Sequence, residues 1–143
     1  MPKLDELRAV CLVHHPDLIC ITETWLDEAI LNSELNLQNF NIVRRDRNRQ
    51  GGGVLIYVHN KYSHSLVFSG SDDLELIVLT VNIASVKVTL GLFYRPPSSS
   101  HFIFDTLLTV LCSYINVSLL ANFILIGDFN VDIYFEYFSP IIA

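Results

Sequence analysis

Asp128 and Asn130 stand two residues apart in Gly127-Asp128-Phe129-Asn130, directly after the apolar run Phe123-Ile124-Leu125-Ile126. A buried strand ending there delivers an acid and an amide to its carboxyl end, where the active sites of layered α/β proteins collect. Asp128 can bind a divalent cation or take a proton. The two-residue spacing places Asn130 on the same side, where its amide can hydrogen-bond an oxyanion. Glu23 holds a matching position at the end of the apolar segment 17–22. Two carboxylates at strand ends can share a hard cation such as Mg²⁺, which takes oxygen ligands and keeps waters for a phosphate to displace. The metal would polarise a phosphoryl oxygen and stabilise the leaving one. The competing reading is structural, with Glu23 capping a loop and Asp128 making a turn.

Three further groups carry possible chemistry. Tyr94 ends an apolar strand and precedes Arg95-Pro96-Pro97, whose prolines stiffen the backbone. Its phenol can hydrogen-bond a phosphate or orient a nucleophile, or simply pack at the sheet rim. Arg95 can meet phosphate with its planar fork, or be an ordinary solvated arginine. Arg44, Arg45, Arg47 and Arg49 make up four of the nine basic residues, diluted only by Asp46. That run can hold a nucleic-acid backbone through counterion release, against the alternative of a solvated loop. Gly51-Gly52-Gly53 lacks the lysine and the strand-loop-helix setting of a phosphate cradle, and is expected to be a flexible turn or bulge feeding the next strand. The five histidines show no metal-ligand spacing and no pairing with a nucleophilic Ser or Cys.

The elements that must position these residues alternate between helix and strand. Leu4, Leu7, Val10, Cys11 and Leu12 recur at helical spacing and stop before Pro16. Strands are expected over 17–22, 40–44, 54–58, 74–83, 86–93 and 123–126, with a polar loop over 45–53. The 74–83 and 86–93 arms form a hairpin around Ala84-Ser85, a weak turn pair. Serines 98–100 start a second helix, in which Phe102, Leu107, Leu108, Val110 and Leu111 suggest a run to about residue 117. The sum is a mixed α/β layered domain with sheet in the middle.

Composition narrows the class. At 143 residues, 51% of them hydrophobic, the chain is one domain or part of one. No apolar run approaches the roughly 20 residues of a membrane-spanning helix, and the N-terminus shows no signal-peptide pattern. Three cysteines inside apolar segments read as buried thiols of a reducing compartment, with no disulfide partner and an intracellular location, nuclear or cytoplasmic. The net charge of −6 is the wrong sign for a general nucleic-acid binder.

Taken together, the segments resemble the endonuclease/exonuclease/phosphatase family, most closely the endonuclease domain of LINE-type (non-LTR) retrotransposon polyproteins. The matching pieces, in the family's order, are Lys3-Leu4-Asp5-Glu6-Leu7-Arg8, residues 16–26 with Thr22-Glu23-Thr24-Trp25, residues 51–58, Tyr94-Arg95-Pro96-Pro97 and Ile126-Gly127-Asp128-Phe129-Asn130. The resemblance covers 1–132 as a partial domain and leaves 133–143 as a non-matching tail. It implies a four-layer α/β sandwich of two facing mixed sheets and a Mg²⁺-dependent phosphodiesterase that nicks DNA, with Mn²⁺ able to substitute. By position, Glu23 would be the metal ligand, and Asp128 would bind metal or help activate the attacking water. Asn130 would hydrogen-bond the scissile phosphate and Tyr94 would support it. The arginine loop becomes a weak DNA contact.

Two family features are absent from this sequence. One is a strand with an active-site Asn before the first helix. The other is a Ser-Asp-His segment, since no histidine follows His101 and Ser71-Asp72 continues with Asp73. The expectation is a chain without most of its second sheet, poorly soluble through an exposed apolar face, and with little or no nuclease activity. The alternatives are a non-catalytic, domesticated or spurious fragment acting as an interaction module, and a lipid phosphodiesterase of the same fold.

Overall fold

The structure, a computed structural model, describes residues 3–48, 50–115 and 121–131. Within them the order is α1 (Leu4–His14), β1 (Leu18–Thr22), β2 (Phe40–Arg45), β3 (Val54–His59), β4 (His64–Ser69), β5 (Glu75–Ile83), β6 (Val86–Tyr94), α2 (Ile103–Tyr114) and β7 (Phe123–Asp128). The first three strands form one sheet in the order β1-β3-β2, and the other four a second in the order β4-β5-β6-β7. All pairings are antiparallel except β6 with β7, which is parallel because α2 carries the chain across between them.

Strand alternation builds four layers. In β3, Val54, Ile56 and Val58 point toward the second sheet and meet Ile77, Leu79 and Val81 of β5 and Leu90 and Leu92 of β6. The intervening Leu55 and Tyr57 point the other way, against Leu4, Leu7 and Cys11 of α1. The outward residues of the second sheet, Leu76, Val78 and Phe93, pack on Ile103 and Leu107 of α2. The layers are therefore α1, first sheet, second sheet, α2. A continuous apolar run such as β3 is explained by burial on both faces.

The expected loss of most of the second sheet is not seen. That sheet has four strands and buries its inner face against the first. Exposure on the inner face falls at the sheet's margins, at Leu66 of β4 (54%), Val86 at the start of β6 (47%), and Ile124 (49%) and Ile126 (36%) of β7. The expected 45–53 loop and the 74–94 hairpin are present, but β4 was not anticipated. It is an edge strand whose apolar residues are interrupted by His64, Ser65 and Ser69, with an irregularity between Leu66 and Phe68. Both helices bury narrower stripes than their apolar residues suggested. Val10, Leu12, Phe102 and Leu108 face outward.

The cysteines also differ from expectation. All three are free thiols, with Cys112 exposed and Cys11 and Cys20 half-buried. Burial pushes the Cys20 thiol up to about 11, which keeps it protonated and unreactive near neutrality. Among the described residues no helix is long and apolar enough to cross a membrane.

The turn between β5 and β6 places Ala84 at φ 47° and Ser85 at φ 70°. Two positive φ values in a two-residue hairpin define the turn that favours Asn-Gly, and an alanine there carries a Cβ penalty of about 1 kcal/mol. Replacing the pair (A84N/S85G) is expected to stabilise the fold by about 1 kcal/mol, raising the melting temperature by roughly 3 °C. A calorimetric scan showing no rise would mean that the hairpin is not limited by its turn.

Candidate active site

Three adjacent strands of the second sheet end in a row. Glu75 opens β5 opposite Tyr94 of β6, and Tyr94 lies beside Asp128 of β7. Paired positions share a face, and neighbouring strands lie about 4.8 Å apart, so the three side chains stand side by side on the inner face. Glu23, directly after β1 of the other sheet, reaches across and accepts a hydrogen bond from the Tyr94 hydroxyl. The structure thus brings Glu23, Tyr94 and Asp128 to one end of the sandwich. Both acids are exposed there, while Tyr94 is only 2% exposed.

The Tyr94 phenol is held above its ordinary range, first by burial, then by its bond to Glu23 and by the charges of Glu23 and Glu75. It is therefore a proton donor here. Its single proton goes to Glu23, so the phenol orients that carboxylate.

Backbone conformation at the site is constrained. Glu23, Trp25 and Asn130 all have positive φ, at 53°, 55° and 44°. Non-glycine residues hold such angles only where the surroundings over-determine them, and these outliers gather at functional sites. The surroundings are visible. Thr24 and Trp25 donate their amides to the carbonyls of Gly53 and Gly52 at 3.3 and 3.0 Å. Asn130 donates its backbone amide to Asp128 Oδ1 at 3.0 Å and its side-chain nitrogen to the Arg95 carbonyl at 2.7 Å. One of the two Asn130 amide protons is thereby committed to the fold.

The triple glycine is a saddle in place of the expected flexible turn. All three residues are buried at positive φ, and a Cβ on Gly53 would lie 2.4 Å from Thr24 Oγ1. Only glycine lets these backbones approach so closely. The Gly53 amide donates to the Glu75 carboxylate, which also takes a bond from Arg47 Nη1 at 2.7 Å.

Arg44, Arg45 and Arg47 spend their donors on groups of the protein itself. Arg44 Nη2 donates to the Ile30 carbonyl. Arg45 bonds the Gly70 carbonyl at 2.7 Å and pairs with Asp72. Arg47 serves Gly51 and Glu75. Arg49 lies outside the described residues, as do Asp132 and the 133–143 tail. Arg95, 5% exposed, donates to the carbonyls of Asn130 and Ser99 at 2.7 and 2.6 Å, so its guanidinium braces the Asp128–Asn130 segment from behind.

Glu75 is the site residue the sequence reading missed. The available signal was a charged residue opening the all-apolar run Glu75-Leu76-Ile77-Val78-Leu79, since a fully buried carboxylate needs a partner. Among the described residues no three His, Cys, Asp or Glu form a metal-binding cluster. Glu23 and Asp128 remain as two exposed oxygen donors, a set that fits Mg²⁺, which needs only one or two carboxylates beside water and phosphate.

The comparisons with known proteins agree with this architecture. The sequence profile of the endonuclease/exonuclease/phosphatase family matches residues 1–135. No curated protein sequence matches. Among solved structures, the endonuclease domain of TRAS1, a telomere-specific non-LTR retrotransposon, superimposes with a TM-score of 0.64 at 11% identity, over 89% of this chain and 54% of that one. Humanised D. rerio TDP2 gives 0.64 at 14% identity, over 91% and 59%. The human Nocturnin catalytic domain with bound sulfate gives 0.62 at 13%, over 92% and 57%. At these identities the likeness concerns the fold, and the chain spans between half and three-fifths of each of these structures. The profile match over residues 1–135 makes this chain a member of the endonuclease/exonuclease/phosphatase family, and the four-layer sandwich agrees with that membership.

Proposed function

We propose that the chain carries the metal half of a DNA phosphodiesterase site of the non-LTR retrotransposon endonuclease type. The observation that carries this reading is the meeting of Glu23 with Tyr94 beside Asp128, from three segments far apart in sequence. Glu23 and Asp128 would hold a Mg²⁺ or Mn²⁺ ion, which when bound polarises the phosphoryl oxygen and stabilises the leaving oxygen. Tyr94 holds the Glu23 carboxylate in orientation through its proton. Asn130 keeps one amide proton for a phosphate oxygen, and Arg95 fixes the carbonyl of the same residue. A D. rerio TDP2 structure holds a single-stranded DNA product, which supports DNA as the substrate class.

The sequence supplies no Ser-Asp-His segment, so the 143 residues alone are proposed to turn over slowly, in line with the 10²- to 10⁴-fold value typical of a positioned acid/base. The test therefore measures binding and chemistry separately. Mn²⁺ binding by water-proton relaxation is expected to weaken at least about tenfold in both Glu23→Gln and Asp128→Asn, each of which removes one carboxylate ligand. Any Mg²⁺-dependent nicking of supercoiled plasmid is expected to fall to background in both. Unaltered Mn²⁺ binding in both variants, or nicking that survives both, would overturn the reading.

A further inference from the structure

We propose that Arg47 and Glu75 are positioning residues for Glu23: together they grip the glycine saddle that sets the Glu23 backbone, and so decide how well that carboxylate receives a divalent metal. This role rests on the proposed metal-binding function of Glu23. It draws into the site two sequence motifs that have no part in that function by themselves, the arginine run and the triple glycine.

The pair is built onto backbone. After β2 the chain turns back at 48–51, where the Gly51 amide donates to the Asn48 carbonyl at 3.3 Å and the Gln50 amide to Asn48 Oδ1 at 2.9 Å. The turn lays Arg47 along the glycines. Its Nε donates to the Gly51 carbonyl at 3.1 Å and its Nη1 to Glu75 Oε1 at 2.7 Å, while Glu75 Oε2 accepts from the Gly53 amide. The ion pair fills the space that a side chain on Gly52 would need. A Cβ there would lie 2.6 Å from Glu75 Oε2 and 2.8 Å from Arg47 Cζ. The saddle is thus held at both ends, at Gly51 by its carbonyl and at Gly53 by its amide.

Its middle holds Glu23. The Gly53 and Gly52 carbonyls accept the amides of Thr24 and Trp25, the two residues directly after Glu23. These bonds fix the segment in which Glu23 stands at φ 53°, a conformation an unrestrained glutamate would leave. Tyr94 fixes the end of the Glu23 side chain, and the saddle fixes its base. Asp128 is held separately, by its pairing with β6 and by the Arg95 amide. Loosening the saddle should therefore reach a bound metal through Glu23 and not through Asp128.

Two double variants isolate the effect, Arg47→Met/Glu75→Gln and Arg47→Met/Glu75→Leu. Both remove the ion pair and carry the same net charge. Glutamine still accepts from the Gly53 amide, whereas leucine, of similar bulk, does not. Mn²⁺ binding is followed by water-proton relaxation at a temperature where melting curves show each variant folded. The leucine variant is expected to bind Mn²⁺ about tenfold more weakly than the glutamine variant, the lower end of the loss when a group that orients a metal ligand is removed. Adding Glu23→Gln to both should abolish that difference, and adding Asp128→Asn should leave it. Without metal, the Thr24 and Trp25 amides should exchange faster in the leucine variant. The same comparison between Glu75→Leu and Glu75→Gln alone, where Arg47 can turn to solvent, guards against a double variant that does not fold. Equal Mn²⁺ affinity of the leucine and glutamine variants, or a difference that survives Glu23→Gln, would overturn the positioning role. If the Glu23→Gln single variant still weakens Mn²⁺ binding, the proposed metal site stands without it; if that variant binds Mn²⁺ unaltered, both fall.

Discussion

Gly127→Ala is expected to lower stability by about 3 kcal/mol, combining a strained φ with overpacking against backbone. Gly127 has φ +148°, and a Cβ there would lie 1.7 Å from the Phe93 carbonyl oxygen of the neighbouring strand. Backbone cannot rotate away as a side chain can. The end of β7 must leave β6, which breaks the 2.9 Å bond from the Arg95 amide to the Asp128 carbonyl and moves the Asp128 carboxylate away from Tyr94. For a domain of this size the melting temperature should fall by roughly 6–12 °C. Hydrogen exchange at Arg95 and Asp128 should accelerate more than in β3. Gly91 supplies the control within the same strand pair. A Cβ there meets the Leu125 Cδ1 atom at 2.9 Å, the mobile end of a side chain. Gly91→Ala should therefore cost less than about 1.5 kcal/mol. Equal losses in the two variants would refute the backbone clash as the cause.

Arg47→Met is expected to cost about 3 kcal/mol, the lower end of the loss when a buried ion pair is deprived of one partner. The Glu75 side chain is 2% exposed, and its carboxylate has two partners, the Gly53 amide and Arg47. Arg47 is 25% exposed and approaches from the solvent side. Methionine in its place fills space but supplies no charge, so the carboxylate stays buried with one neutral donor. The same substitution removes the Arg47 Nε bond to the Gly51 carbonyl at 3.1 Å. The saddle that fixes Thr24 and Trp25 loosens with it. Glu75→Gln in the Arg47→Met background should recover most of the loss, because glutamine still accepts from Gly53 and needs no counter-charge. Urea denaturation of the four members of this cycle measures the coupling. If the double variant is as unstable as the sum of the singles, the pair is not what holds the loop.

Together these two predictions describe how the site is held. Glu23 and Asp128 are the proposed metal donors, and Tyr94 holds the Glu23 carboxylate in place. Behind them, Glu75, Arg47, the triple glycine and Arg95 fix the strand ends that carry them. The brace is made of charged residues because strand ends leave backbone amides and carbonyls unpaired, and guanidinium and carboxylate groups satisfy several at once. The arginines of 44–47 are a case in point. By sequence they resemble a comb for phosphate, but each finds a carbonyl or acid within the protein.

The local patterns were enough to place most strands, the two helices and the three residues that meet at the site, because burial on both faces writes continuous apolar runs and chemistry gathers where those runs end. Strand β4 escaped because an edge strand need not be apolar throughout, and Glu75 escaped because a lone carboxylate looks the same in a loop and in a core. The internal partners of Arg44, Arg45 and Arg47, the orientation of Glu23 by Tyr94, the exposure of Trp25 and the tight fit of Gly53 and Gly127 were decided only in three dimensions. Each depends on which backbone lies across from which side chain. That is set by strand register and sheet packing between residues tens of positions apart, which no local run of letters encodes.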